Sequence, residues 1–422
     1  MAKRVLTETD LWDIVLGGSA LATGGGGTGP TRAQFESVVR PALARGLQPA
    51  LIDAADVPED ALVYMAAGVG GGVRREEKEH NLANPGWEAR WSPGYDQNTW
   101  IQHQLDELDE LYPTSSWSER PDGNFRSRAE QRLQELVGKE SYGYMPFEIG
   151  PNVYSTLLDA AAKGKPVVDC DTAGYRAVPE VSLCSFNIHE VAPGPVTLAT
   201  AWGDIMVIEK VLNWQRLEDI SRHVAVSCGG GVGGMAAIPG GVVARTAVIG
   251  TISKAMQVGR AMREAIDRGV DPVSAGADAA GGRVLFRGRV LVRLNEDKGA
   301  FIWGDERLEG SGEFADHTFK IWYKNENHMS WLDGRPYVMS PDLVTVVDAQ
   351  SGYGLSNFSL TDWAWGREVG VIGVPCDPVW HTERGVRIFH PARWGFACDY
   401  TPFEEVVQRP LLSSMATTAA AR

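Results

Sequence analysis

The sequence predicts a two-part α+β protein, with an α/β domain over residues 1–281 and a β-rich domain over 282–412. Three observations carry this reading. Glycine clusters directly follow apolar strand-like or helix-like runs in the first part. Helical patterns alternate there with short apolar runs as far as Ala279. After Gly281 the texture changes to short strand-like runs at about ten-residue spacing, separated by turn residues.

Along the chain, Asp10 to Ala22 reads as a helix running into Gly24–Gly27. Ala61–Met65 reads as a short buried strand before Gly68-Val-Gly-Gly-Gly72, and Val224–Cys228 as a strand before Gly229–Gly234. The segment from about residue 86 to 124 holds Trp87, Trp91, Trp100 and Trp117 among several prolines. It is read as an insertion that serves as a lid or a subunit contact, because Trp is enriched at interfaces. Ser127–Leu136 is a charged helix, and Asn152–Gly164 is a helix that Asn152 could cap and Gly164 ends. Lys165–Asp169 is a buried strand, and Cys184–Glu190 a neighbouring one. Val243–Ala279 is helix-rich. Strands are expected at Val284–Phe286, Val290–Leu294, Ala300–Trp303, Thr318–Tyr323 and Leu343–Val347. Residues 413–422 form a disordered tail.

Composition excludes several classes. The chain has 422 residues, enough for a large core. A net charge of −14 and the absence of long Lys/Arg runs argue against nucleic acid as a partner. No apolar run is long enough for a membrane span, and the N-terminus is not a secretory signal. Five scattered cysteines with no CxxC pair point to free thiols in a reducing, cytoplasmic setting. Glycine is the outlier, at 48 residues against an average share of about 7%. No cluster is a P-loop or a dinucleotide fingerprint, so neither a nucleotide nor a flavin is expected.

The densest chemistry lies in Asp169-Cys-Asp-Thr-Ala-Gly-Tyr-Arg-Ala-Val-Pro-Glu180. It follows an apolar strand, and that end of a strand faces the ligand crevice in open α/β sheets. Asp169 and Asp171 would point the same way on a continued strand. With Arg176 and Glu180 they could bind a metal, activate water or clamp an anion; the alternative is a salt-bridge network that orders a loop. Glu148, just before a helix, is a candidate general base or a dipole-stabilising residue. Tyr323–His328 is a polar patch or a solvated turn. Arg75–His80 is largely a solvated helix face, with one carboxylate, Glu77, assigned to the pocket. His189 reads as a lone structural histidine.

Several motifs, in order, resemble the S-methyl thiohydantoin desulfurase-like family. They are Leu16-Gly-Gly-Ser-Ala20 with Gly24–Gly27, Glu148-Ile-Gly-Pro-Asn152, Val167-Val-Asp-Cys-Asp171 with Arg176-Ala-Val-Pro-Glu180, and Asn325-Glu326. Ser340-Pro-Asp-Leu343, Val369-Gly-Val-Ile-Gly-Val-Pro375 and Trp394-Gly-Phe-Ala-Cys-Asp-Tyr-Thr-Pro402 complete the set. The resemblance implies an α/β part followed by a β-rich part. It also implies chemistry on a cyclic urea, thiourea or amide. Tyr175 between Gly174 and Arg176, Pro151 in place of a glycine, and the Trp-rich segment depart from the pattern and point to a larger or aromatic ring.

The resulting expectation is a hydrolase of a C–N or C–S bond in a thiohydantoin- or hydantoin-like small molecule. Asp169, Asp171 and Glu180 hold one divalent metal, Mg or Mn in preference to Zn, or position the attacking water. Glu148 or Glu326 is the general base. Arg176 binds a substrate carboxylate or the oxyanion. Gly25, Gly26 and Gly27 offer amides, and Glu77, Asn152 and Asn325 contact substrate. A homo-oligomer is expected, through the Trp-rich segment. The alternative is a non-catalytic partner or scaffold subunit of a hydantoinase- or oxoprolinase-type enzyme.

Overall fold

A computed structural model describes residues 3–70, 125–200, 204–227, 231–359 and 361–409. Glu77, the Trp-rich segment, Cys228–Gly230 and the 413–422 tail lie outside the described residues.

The strands of the first part are β1 (Arg4–Val5), β2 (Ala50–Ile52), β3 (Leu62–Val69), β4 (Gly143–Pro146), β5 (Val167–Val168), β6 (Cys170–Asp171), β7 (Val196–Thr200), β8 (Ile205–Ile208), β9 (Val232–Pro239) and β10 (Val248–Ile249). Eight form one mixed sheet in the order β1-β2-β5-β4-β3-β9-β7-β8, while β6 and β10 pair separately. β2, β5, β4 and β3 run parallel at its centre. Helices cross between them, as parallel neighbours require.

The second part contributes β11 (Arg283–Lys298), β12 (Phe301–Gly310), β13 (Thr318–Lys324), β14 (Glu326–Leu332), β15 (Arg335–Met339), β16 (Leu343–Asp348) and β17 (Glu368–Val374). They form one antiparallel sheet in the order β15-β14-β13-β12-β11-β17-β16. The α/β part followed by a β-rich part is therefore the architecture of the chain. Alternation along β16 and β17 explains how the two sheets become one body. Leu343, Val347, Ile372 and Val374 join the core of the first sheet and its helices. Val344, Val346, Val369 and Val371, on the opposite face, join a separate core with Phe286, Phe314 and Phe319.

Local signals place the helices well. Thr7 and Asp10 form a capping box at the start of helix Glu8–Leu21, and Thr31 and Gln34 form another at Arg32–Ala44. Asp271 and Pro272 open the helix Pro272–Ala280, and Gly281 closes it in the left-handed region. Helix Glu8–Leu21 packs closely on Thr251–Asp267. A Cβ on Gly17 would lie 1.8 Å from the Ala255 carbonyl oxygen, and one on Gly259 only 1.9 Å from that of Asp13. Arg263 clasps the buried Asp13 carboxylate across the same crossing at 2.7 and 3.0 Å.

Three local readings are corrected. Val224–Ser227 is not a strand but ends the helix Trp214–Ser227, and β9 begins at Val232 and runs through Gly233 and Gly234. Its Val-Ala-Val run continues the helical pattern of Trp214, Leu217 and Ala225, which are buried at helical spacing. Cys184–Glu190 is not a strand either. It holds the four-residue helix Ser185–Ile188, and His189 is exposed. The expected strands Val284–Phe286 and Val290–Leu294 are one long strand, β11, bulged on each of its two edges.

No helix among the described residues is long and apolar enough to cross a membrane. Cys170, Cys184, Cys376 and Cys398 are free thiols. The interhelical crossing yields a direct prediction. Gly259→Ala lowers the free energy of unfolding by about 1–3 kcal/mol in a denaturant titration. An unchanged midpoint would mean that the two helices do not meet there.

Candidate active site

A cavity of about 600 Å³ opens where the two sheets meet. One wall is the carboxyl ends of the parallel strands β3 and β4: Ala66–Gly70 and Pro146–Glu148. That is the position α/β topology predicts for a ligand. The loop after helix Glu8–Leu21 supplies Gly26, Gly27 and Thr28, and the turn between β13 and β14 supplies Asn325 and Glu326. Asn152, Val178, Pro179, Arg222 and Phe358 complete the parts that matter below.

Two carboxylates face this space. Glu148 accepts the Val178 amide on Oε2 at 2.8 Å. Burial raises its pKa to about 7, against the opposing pull of that amide and of Arg176. Glu326 is 2% exposed, and its Oε2 has no hydrogen-bond partner among the described residues. Burial, then the nearby Glu148 charge, push its carboxyl well above the ordinary range despite Arg176. Two acids lining one pocket disfavour each other's ionisation, so the pair loses its protons in separate steps.

The glycine loop makes room for this pair. A Cβ on Gly25 would sit 1.9 Å from Glu326 Oε1. Gly26 lies against the Gly150 backbone with φ +67°. The Gly25 amide is spent on the Ala22 carbonyl at 2.8 Å, so Gly25 supplies clearance. The Gly26 and Gly27 amides have no protein acceptor among the described residues, and both glycines line the cavity. Asn357 ties the loop to the turn. Its amide donates to the Gly24 carbonyl at 2.8 Å, and its Nδ2 to the Asn325 carbonyl at 2.9 Å.

The dense acidic motif is structural in its carboxylates. Asp169 does not face the cavity. It caps helix Thr251–Asp267, accepting the amides of Ile252 at 2.9 Å and Ser253 at 3.0 Å and the Ser253 hydroxyl. Asp171 is fully buried in a turn, accepting the Gly174 amide at 2.8 Å and the Tyr175 amide at 3.0 Å. Glu180 pairs with Lys324 at 2.6 Å and with Arg393. Burial pushes Glu180 up, but those two cations outweigh it and leave the carboxyl below its ordinary value. Strand β5 ends at Val168, and Asp171 belongs to another ribbon, so the shared strand face that would have aligned the two aspartates does not exist. Asp169, Asp171 and Glu180 thus do not come together as metal ligands. Among the described residues the cluster of metal-ligating side chains is a different one, Asp342, Cys376 and His381.

Arg176 is likewise not a substrate clamp. Its guanidinium is fully buried and donates to the carbonyls of Pro341 at 2.5 Å and Asp342 at 3.4 Å and to Thr23 Oγ1 at 3.4 Å. Burial lowers it to about 10, offset by the acids around it, so it stays cationic at neutral pH. It acts on the pocket through its field.

Asn152 and Asn325 do line the cavity, but their side chains are engaged. Asn152 Nδ2 donates to the Gly26 carbonyl at 2.9 Å instead of its oxygen capping the following helix. Asn325 Oδ1 accepts the Ile302 amide at 2.9 Å. The Tyr323–His328 patch is no solvated turn; Lys324 to His328 are all buried. Tyr175 and Pro151 lie outside the cavity lining. Tyr175 donates to the Pro375 carbonyl at 2.8 Å, and Pro151 packs on Gly29.

Sequence reasoning passed over Arg222. It lines the cavity while held by Glu218 at 2.8 Å and by the Pro179 and Ala300 carbonyls. Glu218 and Arg222 at i and i+4 on one helix were a readable signal.

This is a two-sheet α+β protein with an acid-lined cavity between its parts. Residues 113–210 match the S-Me-THD-like N-terminal domain and residues 212–403 the S-Me-THD-like C-terminal domain. The chain belongs to the S-Me-THD-like family. A crystal structure of a protein from Chromobacterium violaceum has the same fold, with a TM-score of 0.63 at 20% identity; the match covers 94% of this chain and 99% of that one. No curated protein matches the sequence.

Glu180→Gln should leave Lys324 and Arg393 without their anion and cost about 3 kcal/mol in denaturant unfolding at pH 7. Because the folded pKa is depressed, the wild-type advantage exists above the unfolded value near 4.5 and disappears as pH falls through the folded one. Equal stability of the two proteins at pH 7 would contradict the structural role.

Proposed function

We propose that this protein is a hydrolase of a cyclic urea, thiourea or amide of the thiohydantoin or hydantoin type. The carrying observation is the Glu148–Glu326 pair, two carboxylates of raised pKa lining one cavity. Environments that push two acids apart assign their roles. Glu148, titrating near 7, is the general base. Glu326, held protonated, is the general acid. Family membership supports the ring class of the substrate.

In this reading Glu148 Oε1, opposite the oxygen bonded to Val178, takes a proton from water as the water oxygen bonds the ring carbon. For C–N cleavage the Gly26 and Gly27 amides receive the developing charge on the exocyclic oxygen or sulfur; for C–S cleavage of an S-alkyl ring that charge develops on the adjacent ring nitrogen. As the C–N or C–S bond breaks, Glu326 gives its proton to the departing nitrogen or sulfur. Glu148 ends protonated and Glu326 ionised, and one proton passed back between them restores the starting state. Phe147 and Phe358 wall the cavity and suit a flat ring.

The test is turnover of 5-substituted hydantoins, thiohydantoins and S-methyl thiohydantoins, in water labelled with ¹⁸O. One labelled oxygen enters the product. kcat/KM rises with pH as Glu148 deprotonates near 7 and falls at higher pH as Glu326 ionises. Glu148→Gln and Glu326→Gln each lower kcat by about 10²- to 10⁴-fold, and Glu326→Gln removes the alkaline limb. Unlabelled product, or wild-type rates in either variant, would overturn the proposal.

A further inference from the structure

Outside the cavity lining, three stretches distant in sequence converge. Asp342 precedes β16, Cys376 follows β17, and His381 ends the short helical turn Pro378–His381. A carboxylate oxygen of Asp342, Cys376 Sγ and a ring nitrogen of His381 all lie within 4.8 Å of one another. Cys376 Sγ is 3.2 Å from His381 Nε2. The Cys376 amide donates to Asp342 Oδ1 at 2.9 Å, which fixes the carboxylate plane and turns Oδ2 toward the Tyr400 hydroxyl, 2.9 Å away. That hydroxyl is also 3.2 Å from His381 Nε2.

We propose that Asp342, Cys376 and His381 form a zinc-binding site, separate from the Glu148–Glu326 pocket. One sulfur, one imidazole nitrogen and one carboxylate oxygen are a zinc donor set; Mg and Ca take oxygen ligands and do not use thiolates. Zinc–ligand bonds of about 2.0–2.3 Å place tetrahedral ligand atoms about 3.3–3.8 Å apart. The Cys376–His381 separation is within a few tenths of an ångström of that. Cys376 and Asp342 are buried while His381 is exposed, so the ion has an entry path and a fourth position toward solvent. Binding replaces the Cys376–His381 contact and costs the Tyr400–His381 one. The Tyr400 hydroxyl keeps its bond to Asp342 as the outer-shell support that ligating carboxylates usually have. The ion would tie the segment after β17 to the start of β16.

Full-length protein stripped with a chelator and titrated with zinc should bind one equivalent per chain at this site and melt at a higher temperature when loaded. Cobalt(II) in place of zinc should give sulfur-to-cobalt charge-transfer absorption. Cys376→Ser abolishes that band, and Cys398→Ser leaves it unchanged. His381→Ala, at an exposed side chain that folding does not need, weakens zinc binding by at least about tenfold. Glu148→Gln leaves the titration unaltered, so failure here and failure of the hydrolase reading are distinguishable. No cobalt–thiolate band in the wild type, or an unchanged zinc affinity in His381→Ala, would overturn the site.

Discussion

A guanidinium without water must find its partners in the protein, and Arg176 finds them in both halves of the chain. Its N–H groups bond the Pro341 and Asp342 carbonyls just before β16 and Thr23 just before the glycine loop. Its face lies 4.8 Å from the ring of Phe389. Glu326, Cys376, Asp342 and Glu148 are the acidic groups around it that oppose the effect of burial on its charge. The relation is mutual. A fixed buried cation restrains how far burial can raise Glu148 and Glu326. Arg176 therefore ties the seam between the two parts and opposes the burial that raises both carboxyls.

This division of labour separates the acids of the chain into two kinds. Asp169, Asp171 and Glu180 are satisfied: a helix N-terminus, a turn and two cations consume their oxygens. Glu148 and Glu326 are not. One keeps a single amide partner, and the other has an orphaned oxygen in a buried site. Unsatisfied buried polar atoms are costly and persist where something other than stability retains them. The contrast locates the chemistry better than the density of acids along the sequence does.

Much of the architecture was legible locally. The helix into Gly24–Gly27 and the helix ending at Gly164 were legible, and the change of period after Gly281 marked the second sheet. Glu148 was legible as a candidate base before a helix, and its place at the carboxyl end of the parallel strand β4 came from the structure. What was not legible depends on long-range pairing. Asp169 and Asp171 look like neighbours on one strand, but the chain leaves the main sheet between them, and only the partners Ile52 and Val248 reveal that. Glu326 reads as part of a polar turn. Its burial comes from the approach of Gly25, some three hundred residues earlier, through the Thr23–Asn327 and Gly24–Asn357 bonds. The Val224–Ser227 run has the composition of a strand and the tertiary setting of a helix end, where packing overrides β-propensity.

The central claim is that Glu148 and Glu326 both titrate well above the ordinary carboxyl range, Glu326 pushed up further by the Glu148 charge. It is tested most directly by a ¹³C NMR titration of the glutamate side-chain carboxyls, with the two resonances assigned by their loss in the single Gln variants. The account predicts one resonance titrating near 7 and the other at higher pH, with Glu326 moving toward the ordinary range when Glu148 becomes Gln. Two independent transitions near the unperturbed value of about 4.3 would contradict it.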